Sequence, residues 1–142
     1  MQDNNLNTPQ KFDIQLSKGL LHERKLERLL SGGRIEVKAE AVQWRRTGNI
    51  CIEFRCRGKA SGIDAFEGDA WAHVICADDE EPLVTLLFPI KRLRDLVQYC
   101  RDKGYYRLNR GDDSASDFAI IPLKLFVHWL MKNGQMPQQG PG

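Results

Sequence analysis

Between Gly33 and Arg55 the chain twice repeats the two-residue period of a β-strand with charge on one face, as IEVKAE at 35–40 and NICIEFR at 49–55. Successive side chains of a strand point to opposite faces, so Ile35 and Val37 share one side while Glu36 and Lys38 share the other, roughly 7 Å apart along the pleat. The second run repeats the arrangement, with Ile50, Ile52 and Phe54 opposite Cys51, Glu53 and Arg55. If the two strands pair, four charged groups converge. A hairpin with one face in solvent produces the same alternation, so the meaning of the pattern depends on what lies over the charged face.

The flanking segments supply helices. LLHERKLERLL at 20–30 carries Leu26, Leu29 and Leu30 as an apolar stripe opposite Arg24, Lys25 and Arg28, and Ser31-Gly32-Gly33 stops it. Ahead of it, KFDIQL alternates Phe12, Ile14 and Leu16 and reads as a short strand. AWAHVICA at 70–77 and LVTLLF at 83–88 are further strands, and after Pro89 the period becomes helical, with Ile90, Leu93, Leu96, Val97 and Cys100 on one stripe and Gly104 as the stop. RGDDSASD reads as a loop, FAII at 118–121 as a last strand, and PLKLFVHWLMKNG as a closing helix. The expected order is β-α-β-β-β-β-α-β-α, a mixed α/β (α+β) fold with helices flanking the sheet.

The polar residues 1–10 and the Gly/Pro/Gln-rich 133–142 read as flexible tails around one domain at 11–132. No run approaches the roughly 18 apolar residues of a membrane span. The opening residues lack the pattern of a signal peptide, so a cytoplasmic location is expected. Cys51, Cys56, Cys76 and Cys100 show no paired ligand spacing and read as buried free thiols. Net charge is only +2, but it is unevenly placed. Residues 34–59 hold seven basic and three acidic side chains, 64–81 hold seven acids and no Lys or Arg, and 91–110 return to seven basic against two acidic. Basic segments sharing a face would suit a polyanion; solvated surface is the plain alternative.

Glu23 makes the charged strands more pointed. At 100° per residue it lies about 20° from Leu30 and about 60° from Leu26, on the stripe expected to meet the sheet. An inward carboxylate asks for a cation. Lys38 would serve in a structural ion pair; three acids and a lysine together would instead suit Mg²⁺, which is usually held by one or two carboxylates with phosphate and water.

These residues resemble the PD-(D/E)XK nuclease superfamily, the fold of many restriction endonucleases and Holliday-junction resolvases. The run IEVKAEAVQWRRTGNICIEFRCRGKASGI followed by GDAW is similar to phage- and prophage-associated members, whose pattern is IEVK, an acidic residue, TGN, IE, GK, SGI and A-D-x-W. The resemblance spans about residues 12–121. It implies that Glu36 and Lys38 are the E-x-K pair, with Glu23 as the helix glutamate and Glu53 as the second-strand carboxylate. Glu23, Glu36 and Glu53 would then be metal ligands and, with Lys38, the catalytic set, using Mg²⁺ or Mn²⁺ in its place. The pattern's Pro-Asp pair is absent upstream of Glu36, where Asp13 is the nearest aspartate. In a second alignment Glu36 is the first acid and Glu53-Phe54-Arg55 stands for E-x-K.

The function so implied is a metal-dependent DNA endonuclease, selective for branched or nicked DNA, with a homodimer suited to paired cuts. Arg45, Arg46, Arg57 and Lys59 would neutralise backbone phosphates, and Ser61 with Gly62 would offer backbone N–H groups to one. The alternative is a non-catalytic DNA-binding module that keeps the nuclease fold and works in phage recombination, packaging or regulation. Asp69 and Trp44 each carry a plain reading beside a functional one, as an acidic turn and as a packed indole.

Overall fold

The computed structural model describes residues 9–40, 44–108 and 115–136, with side chains described from Ile14 onward. Its fold is mixed α/β, as expected. In chain order the elements are α1 (Pro9–Gly32), β1 (Ile35–Glu40), α2 (Trp44–Thr47), β2 (Asn49–Cys56), β3 (Lys59–Ala60), α3 (Gly62–Ala65), β4 (Ala70–Cys76), β5 (Pro82–Pro89), α4 (Ile90–Asp102), β6 (Tyr106–Arg107), β7 (Ser116–Pro122) and α5 (Leu123–Met131).

The expected first strand is instead the start of α1. Leu16 and Leu20 stand four residues apart and Ile14 and Leu21 seven, so the residues that alternate as a strand also satisfy a helical repeat. Once the 20–30 segment is helical, adding turns to it costs far less than starting a separate element, and Pro9 suits a helix's first turn.

The strands form two sheets. β4 lies between β1, to which it is parallel, and β5, to which it is antiparallel. The second sheet is antiparallel in the order β3-β2-β7-β6. β1 and β2 therefore do not pair, and the convergence of four charged groups that depended on their pairing is not made. Residues 41–48 and the short helix α2 separate them, and each strand finds a different partner.

The core lies where α4 covers both sheets. Leu93, Leu96, Val97 and Cys100 pack with Ile50, Ile52 and Phe54 of β2, Trp71 and Ile75 of β4, and Ala119 and Ile121 of β7. These are the stripes expected for β2 and α4. β4, paired on both edges, is buried almost throughout. Past α5, Gly134 N–H donates to the Trp129 carbonyl and Met136 packs on the core cluster. Among the described residues no helix is long and apolar enough to cross a membrane. The loop expected at 110–117 and the two expected tails lie largely outside the described residues.

Candidate functional site on the charged strands

The parallel register aligns Glu36 with Trp71, Lys38 with His73 and Glu40 with Ile75. Aligned partners project to the same side of a sheet, so the charged face of β1 is the one that β4 uses for buried Trp71 and His73. Val37, on the opposite face, is 62% exposed. The apolar face of β1 is thus open to solvent at Val37. On this face of the edge strand the Glu40 side chain is largely buried, whereas Glu36 and Lys38 stay partly exposed; charge there also blunts the edge against further pairing.

Each charged group on this face has a partner. Lys38 Nζ lies 3.0 Å from Glu36 Oε1, with both side chains partly exposed. Glu40 turns back along β4, and its Oε2 lies 2.6 Å from His73 Nε2. The Trp71 indole N–H donates to His73 Nδ1 at 3.3 Å. Because Nδ1 accepts that bond, Nε2 carries the ring proton and donates it to Glu40. Across the gap between the sheets, the Cys51 backbone N–H donates to both Glu40 oxygens at 3.2 and 3.3 Å. One carboxylate thereby ties β1 and β4 to β2. Burial, reinforced by the Glu40 charge and opposed by Arg107, pushes the Cys51 thiol up to about 11.

Glu53 sits further along β2, at a register shift between Glu53 and Arg55. Its carboxylate accepts from Ser61 Oγ at 2.5 Å and Ser116 Oγ at 2.7 Å. The second of these hydroxyls comes from β7. Gly62 permits the first contact: its φ is +49°, and a Cβ there would stand 2.1 Å from the Glu53 carbonyl oxygen. Arg55 Nε pairs with Asp117 Oδ2 at 3.1 Å.

Of the residues expected at the site, Glu36 and Lys38 meet. Glu53 lies on the strand that Glu40, not Glu36, reaches. Glu23 is exposed on α1, with no hydrogen bond or ion pair among the described residues, so the expected inward glutamate is corrected: α1 leaves Leu20, Leu21, Leu26 and Leu30 exposed and has no sheet-facing stripe at that turn. Among the described residues no three His, Cys, Asp or Glu side chains are grouped as metal ligands.

The basic set is spread over two places. Arg45 and Arg46 lie on α2, where Arg45 pairs with Asp78 and is held further up its range by that bond and charge. Arg57, at φ +51°, and Lys59 flank the β2–β3 turn, and both are exposed. The Ser61 backbone N–H is taken by the Phe54 carbonyl at 3.1 Å, so it is not free for a phosphate; the Ser61 hydroxyl instead serves Glu53. Trp44 packs against the core, and its N–H donates to the Cys76 carbonyl. Asp69 Oδ2 accepts from the Arg34 N–H at 2.8 Å and joins the starts of β1 and β4.

Glu40 and His73 went unselected in the sequence. The signal for Glu40 is its place in the same alternation as Glu36 and Lys38. His73 carries no comparable signal, since only the β1–β4 register brings it to Glu40.

No protein-family model, curated protein or solved structure matches this chain.

Proposed function

We propose that this chain binds DNA and hydrolyses its phosphodiester backbone with Mg²⁺ as cofactor. The observation supporting this reading is that Glu36, Lys38 and Glu40 share the inward face of β1, and that Glu40 is one hydrogen bond from β2, the strand bearing Glu53. Mg²⁺ needs only one or two carboxylates beside phosphate and water, so the hard oxygens of Glu36 and Glu53 would serve without a three-carboxylate cluster; Glu23 drops out of the set, and Glu40 is taken by His73 and the Cys51 N–H. When bound, the ion supplies an activated water and charge stabilisation at the scissile phosphate. Lys38, held by Glu36, adds positive charge where the phosphate's negative charge grows. Ser61 and Ser116 orient the Glu53 carboxylate, and Arg46, Arg57 and Lys59 supply phosphate contacts that carry no sequence information. Recognition then rests on DNA shape, which favours branched or nicked substrates. A cytoplasmic homodimer suits paired cuts, with the exposed leucines of α1 as surface for a second copy.

The alternative reading, a DNA-binding module without catalysis, is favoured by the occupancy of these carboxylates. Glu36 is paired with Lys38, Glu40 with His73, and Glu53 with two hydroxyls. Incubating the purified chain with four-way-junction, nicked and linear DNA in Mg²⁺, Mn²⁺ or EDTA separates the two. Metal-dependent cleavage that Glu53→Gln abolishes supports the nuclease; retained binding with no cleavage of any substrate supports the module.

A further inference from the structure

Little of the folded body touches α1. From Ile14 to Arg28 every residue is exposed, and within 14–32 Leu29 alone is half-buried. The exit of the helix is nevertheless fixed. The Gly33 N–H donates to the Leu29 carbonyl at 2.9 Å, the Arg34 N–H donates to Asp69 Oδ2 at 2.8 Å, and the Arg34 carbonyl accepts from the Asp69 N–H at 2.8 Å. At 24 residues α1 is about 36 Å long, an arm that leads through residues 33–34 directly into β1.

The charges of this arm are sorted by sign. At roughly 100° per residue, Lys18, Arg24, Lys25 and Arg28 fall within an arc of about 120° that contains no Asp or Glu. Glu23 and Glu27 lie outside that arc, among Leu16, Leu20, Leu26 and Leu30. Such sorting works against the helix itself, because Arg24 stands four residues and Lys25 three residues before Arg28, spacings at which like charges repel. The four cationic side chains make no hydrogen bond or ion pair among the described residues, so no ion pair relieves the repulsion. A polyanion laid along the arc would. From Lys18 to Arg28 the helix rises about 15 Å, a length in which about four phosphates of one strand pass along a duplex axis.

We propose that this face of α1 is a contact surface for the DNA backbone, on which Lys18, Arg24, Lys25 and Arg28 meet successive phosphates of one strand. The arm thereby holds a duplex next to the strand that carries Glu36 and Lys38. The inference rests on the DNA-binding part of the proposed function and not on cleavage. An anionic membrane suits the arm less well, since Glu23 and Glu27 interrupt the leucines that would have to enter lipid.

The test is fluorescence anisotropy of a labelled linear duplex with the full chain over a KCl series, in EDTA so that no metal-dependent cleavage intervenes. The variant Arg24→Gln/Lys25→Gln/Arg28→Gln loses three cations from exposed positions and keeps comparable helix propensity, which circular dichroism verifies. Its log–log salt slope should be smaller than that of the wild type by about 2.7, at about 0.9 per phosphate contact. Lys91→Gln/Lys124→Gln/Lys132→Gln removes the same charge from exposed positions off the arm and should change the slope by less than about 1. A wild-type slope in the α1 variant, or equal reductions in the two variants, overturns the inference and leaves DNA binding by the chain standing. A wild type that binds no DNA overturns the DNA-binding reading and the inference with it. Binding to phosphatidylserine vesicles that the α1 variant loses, with its DNA slope unchanged, also overturns it and assigns the face to a lipid surface.

Discussion

His73 Nε2 donates across neighbouring strands to Glu40 Oε2 at 2.6 Å, with the histidine side chain 2% and the glutamate 9% exposed. Between them these residues satisfy a carboxylate, an imidazole and, through Trp71, an indole, inside a body that is otherwise apolar. Partners this buried are expensive to remove singly. His73→Ala leaves the Glu40 charge short of a donor and the Trp71 N–H without an acceptor, and should destabilise the fold by about 3–5 kcal/mol in urea denaturation. Glu40→Gln keeps the shape and one acceptor, and should cost about 1–3 kcal/mol. Equal and negligible losses in the two variants would show that the network is not structural.

Gly62 packs against the Glu53 backbone more closely than any side chain allows. Gly62→Ala must move the β3–α3 connection and with it Ser61, so stability should fall by at least about 1–3 kcal/mol. Ser61→Ala removes only the hydroxyl that holds Glu53. It should change stability by about 1 kcal/mol while weakening any activity that depends on the orientation of Glu53. Melting curves of the two variants, run beside cleavage assays, distinguish backbone fit from carboxylate positioning.

The apolar periods carried much of the fold: the Ile50-Ile52-Phe54 face of β2 and the Leu93-Leu96-Val97-Cys100 face of α4 both enter the core as their spacing requires. Alternation could not say which face of β1 turns inward. Ile35 and Val37 are better core residues than Glu36 and Lys38, yet the parallel pairing with β4 sends the charged side toward Trp71 and His73. Pairing partners are non-local, and the local run holds no information on them. For α1 the difficulty was a double meaning, since Leu16 and Leu20 fit both periods. The Glu23 expectation failed because a helical wheel identifies a stripe without showing that anything covers it.

DNA affinity should fall linearly on a log–log plot against salt, and the two arginines of α2 should contribute unequally. Arg45 is already engaged with Asp78, whereas Arg46 is exposed and makes no hydrogen bond or ion pair among the described residues. Arg46→Ala should therefore reduce the slope by about 0.9, the value for one phosphate contact, and Arg45→Ala by less. Fluorescence anisotropy over a salt series gives both slopes; equal reductions would place the pair on the same footing and refute the Asp78 restraint.

Alkaline pH should destabilise the protein through its thiols. Burial raises Cys100 to about 11, and burial with the Glu40 charge raises Cys51 to about 11, both from 9.0. In the unfolded chain these thiols ionise first, so the unfolded state binds fewer protons and stability declines as pH climbs from about 9 to about 11. Below that window the thiols are protonated in both states and have no effect on the pH dependence. Urea midpoints between pH 8 and 11 should fall through the window, and iodoacetamide should label Cys100 much faster in urea than in the native protein at pH 8.

The most direct measurement is the initial rate of Mg²⁺-dependent cleavage of a four-way junction by wild type and Lys38→Ala, taken with their melting temperatures. Lys38 lies 3.0 Å from Glu36 and is 47% exposed, so its loss should scarcely alter folding, because an exposed ion pair contributes only about 0–1 kcal/mol. DNA affinity should stay nearly constant, since charge placed for the transition state adds little to ground-state binding. The expected result is a wild type that cuts and a folded, DNA-binding Lys38→Ala that does not. A wild type that binds the junction but never cuts it, or a Lys38→Ala variant that cuts at the wild-type rate, would contradict the proposal that the charged face of β1 is a phosphodiesterase site.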